Sequence, residues 1–168
     1  MHMSTLLYLA YGSNLHPRWL QSRVPSAEIV QKTSLDGWSL RFNKHSHTDG
    51  SAKCNILETG NANDCVHGVV YRLKTIEKAA LDRAEGGYNC VDVNLPDLGQ
   101  VMVYLARTAN INNELRPYSW YRDIVIAGAI LHGLPENYIN RIKTVEAITD
   151  TDPAREREHR SIVWPESV

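Results

Sequence analysis

The sequence predicts a mixed α/β (α+β) fold in a single domain, built as a small mixed β-barrel or a strongly curved sheet with helices packed outside. Three observations carry this. Strand-like segments fill the first two-thirds of the chain, helix-like segments fill the last third, and 168 residues with 43% hydrophobic and 22% charged content suit one core.

The elements follow in order. Leu6–Tyr11 is continuously apolar and ends at Gly12, the pattern of a strand covered on both faces. A turn at Gly12-Ser13-Asn14 leads to Pro17, which suits the first turn of a helix running to about Arg23, before Pro25. Trp38–Asn43 alternates Trp38, Leu40 and Phe42 with polar residues, a half-buried strand. Ser51–Leu57 and Val66–Leu73 are further strands, with Gly68 marking a bulge or a close backbone approach. Thr75 is placed to cap a helix over Ile76–Glu85, which Gly86-Gly87 stops. Tyr88–Asn94 and Gln100–Ala106 read as strands, joined by a hairpin at Asp97-Leu98-Gly99. Ser119–His132 and Glu136–Val145 have helical spacing. The domain is expected to span residues 1–148, with 149–168 as a peripheral tail containing one or two polar helical turns.

Several function classes are disfavoured. The net charge of -1 lacks the basic excess of a nucleic-acid binder. No apolar run approaches the ~20 residues that span a bilayer, so no membrane role is expected. Three widely spaced cysteines, Cys54, Cys65 and Cys90, argue against a disulfide framework and for the reducing cytoplasm. His45, His47 and His67 match no metal-ligand spacing, so neither metal nor cofactor is expected. Walker A, G-x-G-x-x-G and G-x-S-x-G sequences are absent.

Three constellations are candidates for chemistry. Tyr11-Gly12-Ser13-Asn14-Leu15 joins a strand to a helix, where backbone N–H groups can cradle an anion; the same residues also make an ordinary turn. Glu85 sits at the end of its predicted helix, four residues after Leu81. The helix dipole and burial beside Leu81 both raise a carboxyl pKa there, as a general base near neutral pH requires. The bland reading is a solvated last-turn glutamate. Pro117–Tyr121 places Tyr118, Trp120 and Tyr121 where they wall a pocket or simply fill the core.

Taken together, these segments resemble the γ-glutamylcyclotransferase family with its AIG2-like relatives. The resemblance rests on Tyr-Gly-Ser-Asn-Leu at Tyr11–Leu15, on Phe42–Ser46 followed by Gly50–Ile56, and on Val66–Leu73. It continues with Leu81-Asp82-Arg83-Ala84-Glu85-Gly86, then Ser119-Trp120-Tyr121 with Gly128-Ala129 and Gly133-Leu134-Pro135. It covers roughly residues 5–140. Only Gly87 stands between the Glu-Gly pair and Tyr88, fewer residues than in many members, and His67 replaces an aromatic found in several relatives.

The resemblance implies intramolecular aminolysis of a small γ-glutamyl substrate, a γ-glutamyl amino acid or γ-glutamylamine, to 5-oxoproline and a free amine. Glu85 would be the base. Tyr11, Gly12, Ser13, Asn14, Leu15 and Tyr121 would bind substrate, with no cofactor. A non-catalytic ligand-binding or stress-associated module on the same fold is the alternative. The oligomeric state, the leaving amine and the role of the tail are not legible in the sequence.

Overall fold

The computed structural model describes residues 3–166. A five-stranded sheet is ordered β2-β5-β1-β7-β6, from β1 (Thr5–Ala10), β2 (Glu28–Asp36), β5 (Cys65–Lys74), β6 (Tyr88–Leu95) and β7 (Gly99–Ala106). A separate two-stranded ribbon pairs β3 (Trp38–His45) with β4 (Ala52–Glu58). The sheet curls but does not close: β2 and β6 remain edges, so the curved-sheet form of the prediction holds and the barrel form does not. The ribbon spans the curl, with β3 against β5 and β4 against β7.

Strand β1 is central. It runs antiparallel to β5 and parallel to β7, which is why its residues are apolar without alternation. Tyr8, Leu9 and Ala10 are buried. Beside it, Gly68 marks a close approach: a Cβ there would lie 2.6 Å from the Ala10 carbonyl oxygen. Bulges lie elsewhere, in β2 between Ile29 and Gln31 and in β3 between Phe42 and Lys44. Strand β2 itself has no counterpart in the expected elements. Its Glu28, Gln31, Lys32 and Asp36 are exposed, as an edge strand allows.

Helix α1 is short (Pro17–Gln21), and α2 covers Lys78–Ala84 after a 3-10 turn at Thr75–Glu77. Thr75 does not cap the helix. Its N–H and hydroxyl engage Ser4 instead, and Lys74 occupies the cap position of the turn. Glu85 is the C-cap of α2, its N–H donating to the Leu81 carbonyl at 2.9 Å.

Helix α3 (Ser119–Leu131) buries Trp120, Tyr121, Ile124, Val125, Gly128 and Ala129, one continuous stripe at helical spacing. Helix α4 is Glu136–Lys143. After Thr149 the chain forms α5 (Pro153–Val163), longer than the expected turn or two. It is capped by Asp152, whose carboxylate accepts from the Ala154 and Arg155 amides. Val163 is buried, and buried Asp150 accepts from the Trp120 indole at 2.9 Å and the Arg155 Nε at 2.8 Å. No helix among the described residues is long and apolar enough to cross a membrane.

Helix α3 presses directly on the turn after β1. A Cβ on Gly128 would meet the His16 nitrogen and Leu15 Cβ, each at 2.8 Å. Gly128→Ala is therefore expected to destabilise the protein by about 1–3 kcal/mol through overpacking, read as a lowered urea midpoint with an unchanged m-value.

Candidate active site

The turn after β1 is a 3-10 turn over Ser13–Leu15, closed when the Leu15 and His16 amides donate to the Gly12 and Ser13 carbonyls. The amides of residues 12–14 thus precede the first turn bond, where helix-start N–H groups lack an acceptor of their own. Gly12 has a φ of -113°. Glycine is needed there for space: a Cβ would lie 2.8 Å from Cys54 Cβ and 3.4 Å from the Tyr121 hydroxyl.

Asn14 links this turn to the end of α2. Its amide nitrogen donates to Glu85 Oε1 at 2.7 Å and to the Tyr8 hydroxyl at 2.9 Å. Asn14 is 4% exposed, and its Oδ1 is buried without a partner among the described residues. An asparagine fixed through its NH2 presents a free acceptor, suited to an incoming N–H donor.

Gly12, Ser13, Asn14 and Glu85 line one recess of about 30 Å³, walled by tyrosines that include Tyr8, Tyr11, Tyr88 and Tyr121. The recess shares Ser13, Glu85, Tyr88 and Tyr121 with a larger pocket of about 360 Å³. Glu85 as a residue keeps some exposure because it lines the open pocket, whereas protein atoms surround its carboxyl group. Burial pushes its pKa above the ordinary glutamate value, opposed by Arg23, the Asn14 hydrogen bond and Lys44.

The tyrosines are tied to the backbone around the recess. Tyr121's hydroxyl accepts from the Cys54 amide at 3.0 Å, and Tyr88's donates to the Cys54 carbonyl at 2.7 Å. Tyr11's hydroxyl donates to the Tyr104 carbonyl. Burial above all holds these phenols well above the usual tyrosine range, with the Glu85 charge next for Tyr11 and a lesser contributor for Tyr88 and Tyr121, so they remain neutral donors and acceptors. Burial likewise pushes the Cys54 thiol up to about 12, which leaves it un-ionised.

Leu15 stands apart from the other expected binding residues. Its side chain is fully buried in the core, its carbonyl is capped by Tyr71 and His132, and it lines neither cavity. His45 and His47 touch edge to face, while His67 packs on Tyr138. Among the described residues no group of three or more His, Cys, Asp or Glu is placed to hold a metal ion.

The structure adds residues that sequence reasoning passed over. Lys44 donates to the Gly86 carbonyl at 2.6 Å and lies over the Tyr88 ring; burial lowers its pKa against the pull of Glu85. Lys53 is paired with Asp49 at 2.8 Å and sits over the Trp120 and Tyr121 rings. Lys44 and Lys53 fall in the blocks Phe42–Ser46 and Gly50–Ile56, so a charged residue inside an otherwise strand-like block was the available signal. Tyr8, a phenol inside an otherwise aliphatic stretch of strand, was another. Trp19, Arg23 and His159 gave none, because only the fold brings them to the pocket.

Comparison with known proteins places these features in context. The AIG2-like family model matches residues 65–142. The chain is 28% identical to the γ-glutamylcyclotransferase of Mus musculus and 29% to that of Homo sapiens, each alignment covering 84% of this chain and 79% of the relative. A solved γ-glutamyl cyclotransferase superposes with a TM-score of 0.79 at 26% identity, covering 94% of this chain and 99% of the other.

The Asn14 hydrogen bond favours the ionised form of Glu85. Removing it in Asn14→Ala should raise the Glu85 pKa further, as seen in a carboxyl-carbon NMR titration with Glu85→Gln as the assignment control. An unchanged or lowered value would mean that Asn14 does not tune this carboxylate.

Proposed function

For this chain, an enzyme that belongs to the γ-glutamylcyclotransferase family with its AIG2-like members, we propose that Glu85 is the general base of an intramolecular aminolysis. The substrate is a γ-glutamyl amino acid or γ-glutamylamine. The observation that supports this most strongly is the 2.7 Å contact between Asn14 and the Glu85 carboxylate, inside a recess that Gly12 and Ser13 also line.

The reaction joins the substrate's α-nitrogen to its own γ-carbonyl carbon. A five-membered lactam forms, the γ-amide C–N bond breaks, and the attached amine leaves. At neutral pH the α-amine is mostly an ammonium, so a base must take a proton before nitrogen can attack. Glu85, with its pKa raised by burial, is matched to that task and returns the proton to the departing nitrogen. A positioned base of this kind is worth ~10²–10⁴-fold. The free Asn14 Oδ1 accepts an N–H of the same amine and turns its lone pair toward the carbonyl.

As tetrahedral charge develops on the carbonyl oxygen, it needs donors that are already in place. The amides of residues 12–14 serve there, aided by the neutral phenols that wall the recess. Tyr121, fixed by the Cys54 amide, closes the recess over the glutamyl part. No step needs a metal or a redox group, because one proton and one nucleophile complete the exchange. The three free cysteines support a reducing cytoplasm as the working compartment.

Glu85→Gln preserves the acceptor for Asn14 but removes the basic oxygen. Release of 5-oxoproline, followed by liquid chromatography, should fall at least ~10²-fold in a protein with unchanged circular dichroism. Near-normal turnover would overturn the assignment.

The pH dependence follows from the raised pKa. The acid limb of kcat/KM should lie above 4.5, the ordinary glutamate value, because activity is lost as pH falls through the folded-state pKa. Stability runs the opposite way. The folded protein holds this proton more tightly than the unfolded chain, so this group's stabilising contribution is lost as pH rises from the unfolded pKa through the folded one. Thermal melts from pH 4 to 8 should therefore show wild type losing ground to Glu85→Gln.

A further inference from the structure

Arg23 follows helix α1 and lines the larger pocket. It is half-buried, with its guanidinium 4.6 Å above the Trp19 ring centroid. Among the described residues no carboxylate lies within ion-pair distance of it, and no side chain or carbonyl accepts from its guanidinium. The other partly buried cations of the pocket are committed. Lys53 donates to Asp49 and Ser51, and Lys44 to the Gly86 carbonyl. Arg83 also lines the pocket but is exposed to water. A guanidinium half withdrawn from water with its donors unfilled is poised for an external acceptor, and its planar fork matches a carboxylate.

The platform beneath Arg23 is built rather than incidental. Trp19 meets His159 of α5 edge-on at 5.4 Å, and His159 stacks on Trp120 of α3 at 4.3 Å. Arg18, at the start of α1, donates to the Val163 carbonyl at the end of α5. The tail helix thus fixes the plane on which Arg23 lies. Arg23 also lines the same pocket as Glu85, whose pKa its positive charge pulls down.

We propose that Arg23, placed over Trp19 on a platform braced by the C-terminal helix, is the receptor for a substrate carboxylate. This rests on the γ-glutamyl substrate proposed above. Two carboxylates of such a substrate offer the required chemistry: the one on the glutamyl α-carbon and the one on a leaving amino acid.

γ-Glutamyl-alanine and γ-glutamyl-ethylamine differ only by the leaving group's carboxylate, so they separate the two sources. Calorimetric titration of each into Glu85→Gln, with and without Arg23→Gln, reads binding without turnover. Losing a charge-assisted bidentate contact should weaken binding about tenfold to a hundredfold. A loss for both compounds assigns Arg23 to the glutamyl carboxylate, and a loss for γ-glutamyl-alanine alone assigns it to the leaving group. Arg23→Lys, which keeps the charge but not the fork, should recover part of the affinity. Unchanged affinity for both compounds in Arg23→Gln, at an unchanged melting temperature, overturns the proposal. So does a weakening that tracks a lowered melting temperature and is not recovered by lysine. If Arg23→Gln weakens binding while the enzyme with Glu85 intact releases no 5-oxoproline from either compound, the catalytic reading falls and the receptor stands.

Discussion

The hydrogen bond from Asn14 to Glu85 joins two segments 71 residues apart, and the rest of the site is arranged around it. A carboxylate withdrawn from water is costly unless donors meet it. Here the donor is the side chain of a turn that cannot shift, because Gly12 is packed on Cys54 below and Gly128 of α3 presses on Leu15 and His16 above. The acceptor is equally constrained, as the last residue of a helix anchored by fully buried Leu81. Moving either element by an ångström would leave Glu85 without its Asn14 donor and Asn14 with the Tyr8 hydroxyl alone.

Around this contact the protein sets phenols instead of ions. A ring of buried tyrosines supplies hydroxyls that hydrogen-bond without bringing charge of their own, so the field at Glu85 comes from a few cations at controlled remove. In such a low-dielectric space each of those charges acts more strongly than it would in water. Arg23 and Lys44 both pull the Glu85 pKa down, while burial pushes it up and prevails. The net shift is upward, so the folded protein holds the Glu85 proton more tightly than a free glutamate would.

The strands and helices with strong periodicity were legible in the sequence because burial on one or both faces writes a pattern. Leu6–Tyr11, Val66–Leu73 and Ser119–His132 all lie within a residue or two of the observed β1, β5 and α3. Strand β2 was not, because an edge strand exposing Glu28, Gln31 and Lys32 satisfies its backbone through β5 and writes no apolar alternation. Glu85 and the Gly12–Asn14 turn stood out through local chemistry and family resemblance, but their distance from each other is a tertiary fact. Leu15 shows the limit of reading a motif as a unit: within one turn, Asn14 faces the recess and Leu15 faces the core. The tail was harder still. Its charged sequence reads as solvated surface, yet one face carries His159 and Val163 inward while Glu158 and Arg157 remain outside.

The central position of β1 has a kinetic consequence. Its neighbours are β5, about 60 residues further on, and β7, about 30 residues beyond that. Neither pairing can be completed by a local hairpin, so long loops must close before the strand is secured, and such topologies fold more slowly than locally wired ones. The turn bearing Gly12 and Asn14 hangs directly from the end of this strand. Its geometry is therefore established only when distant parts of the chain have already met, and partly folded forms of the protein are expected to be inert rather than weakly active.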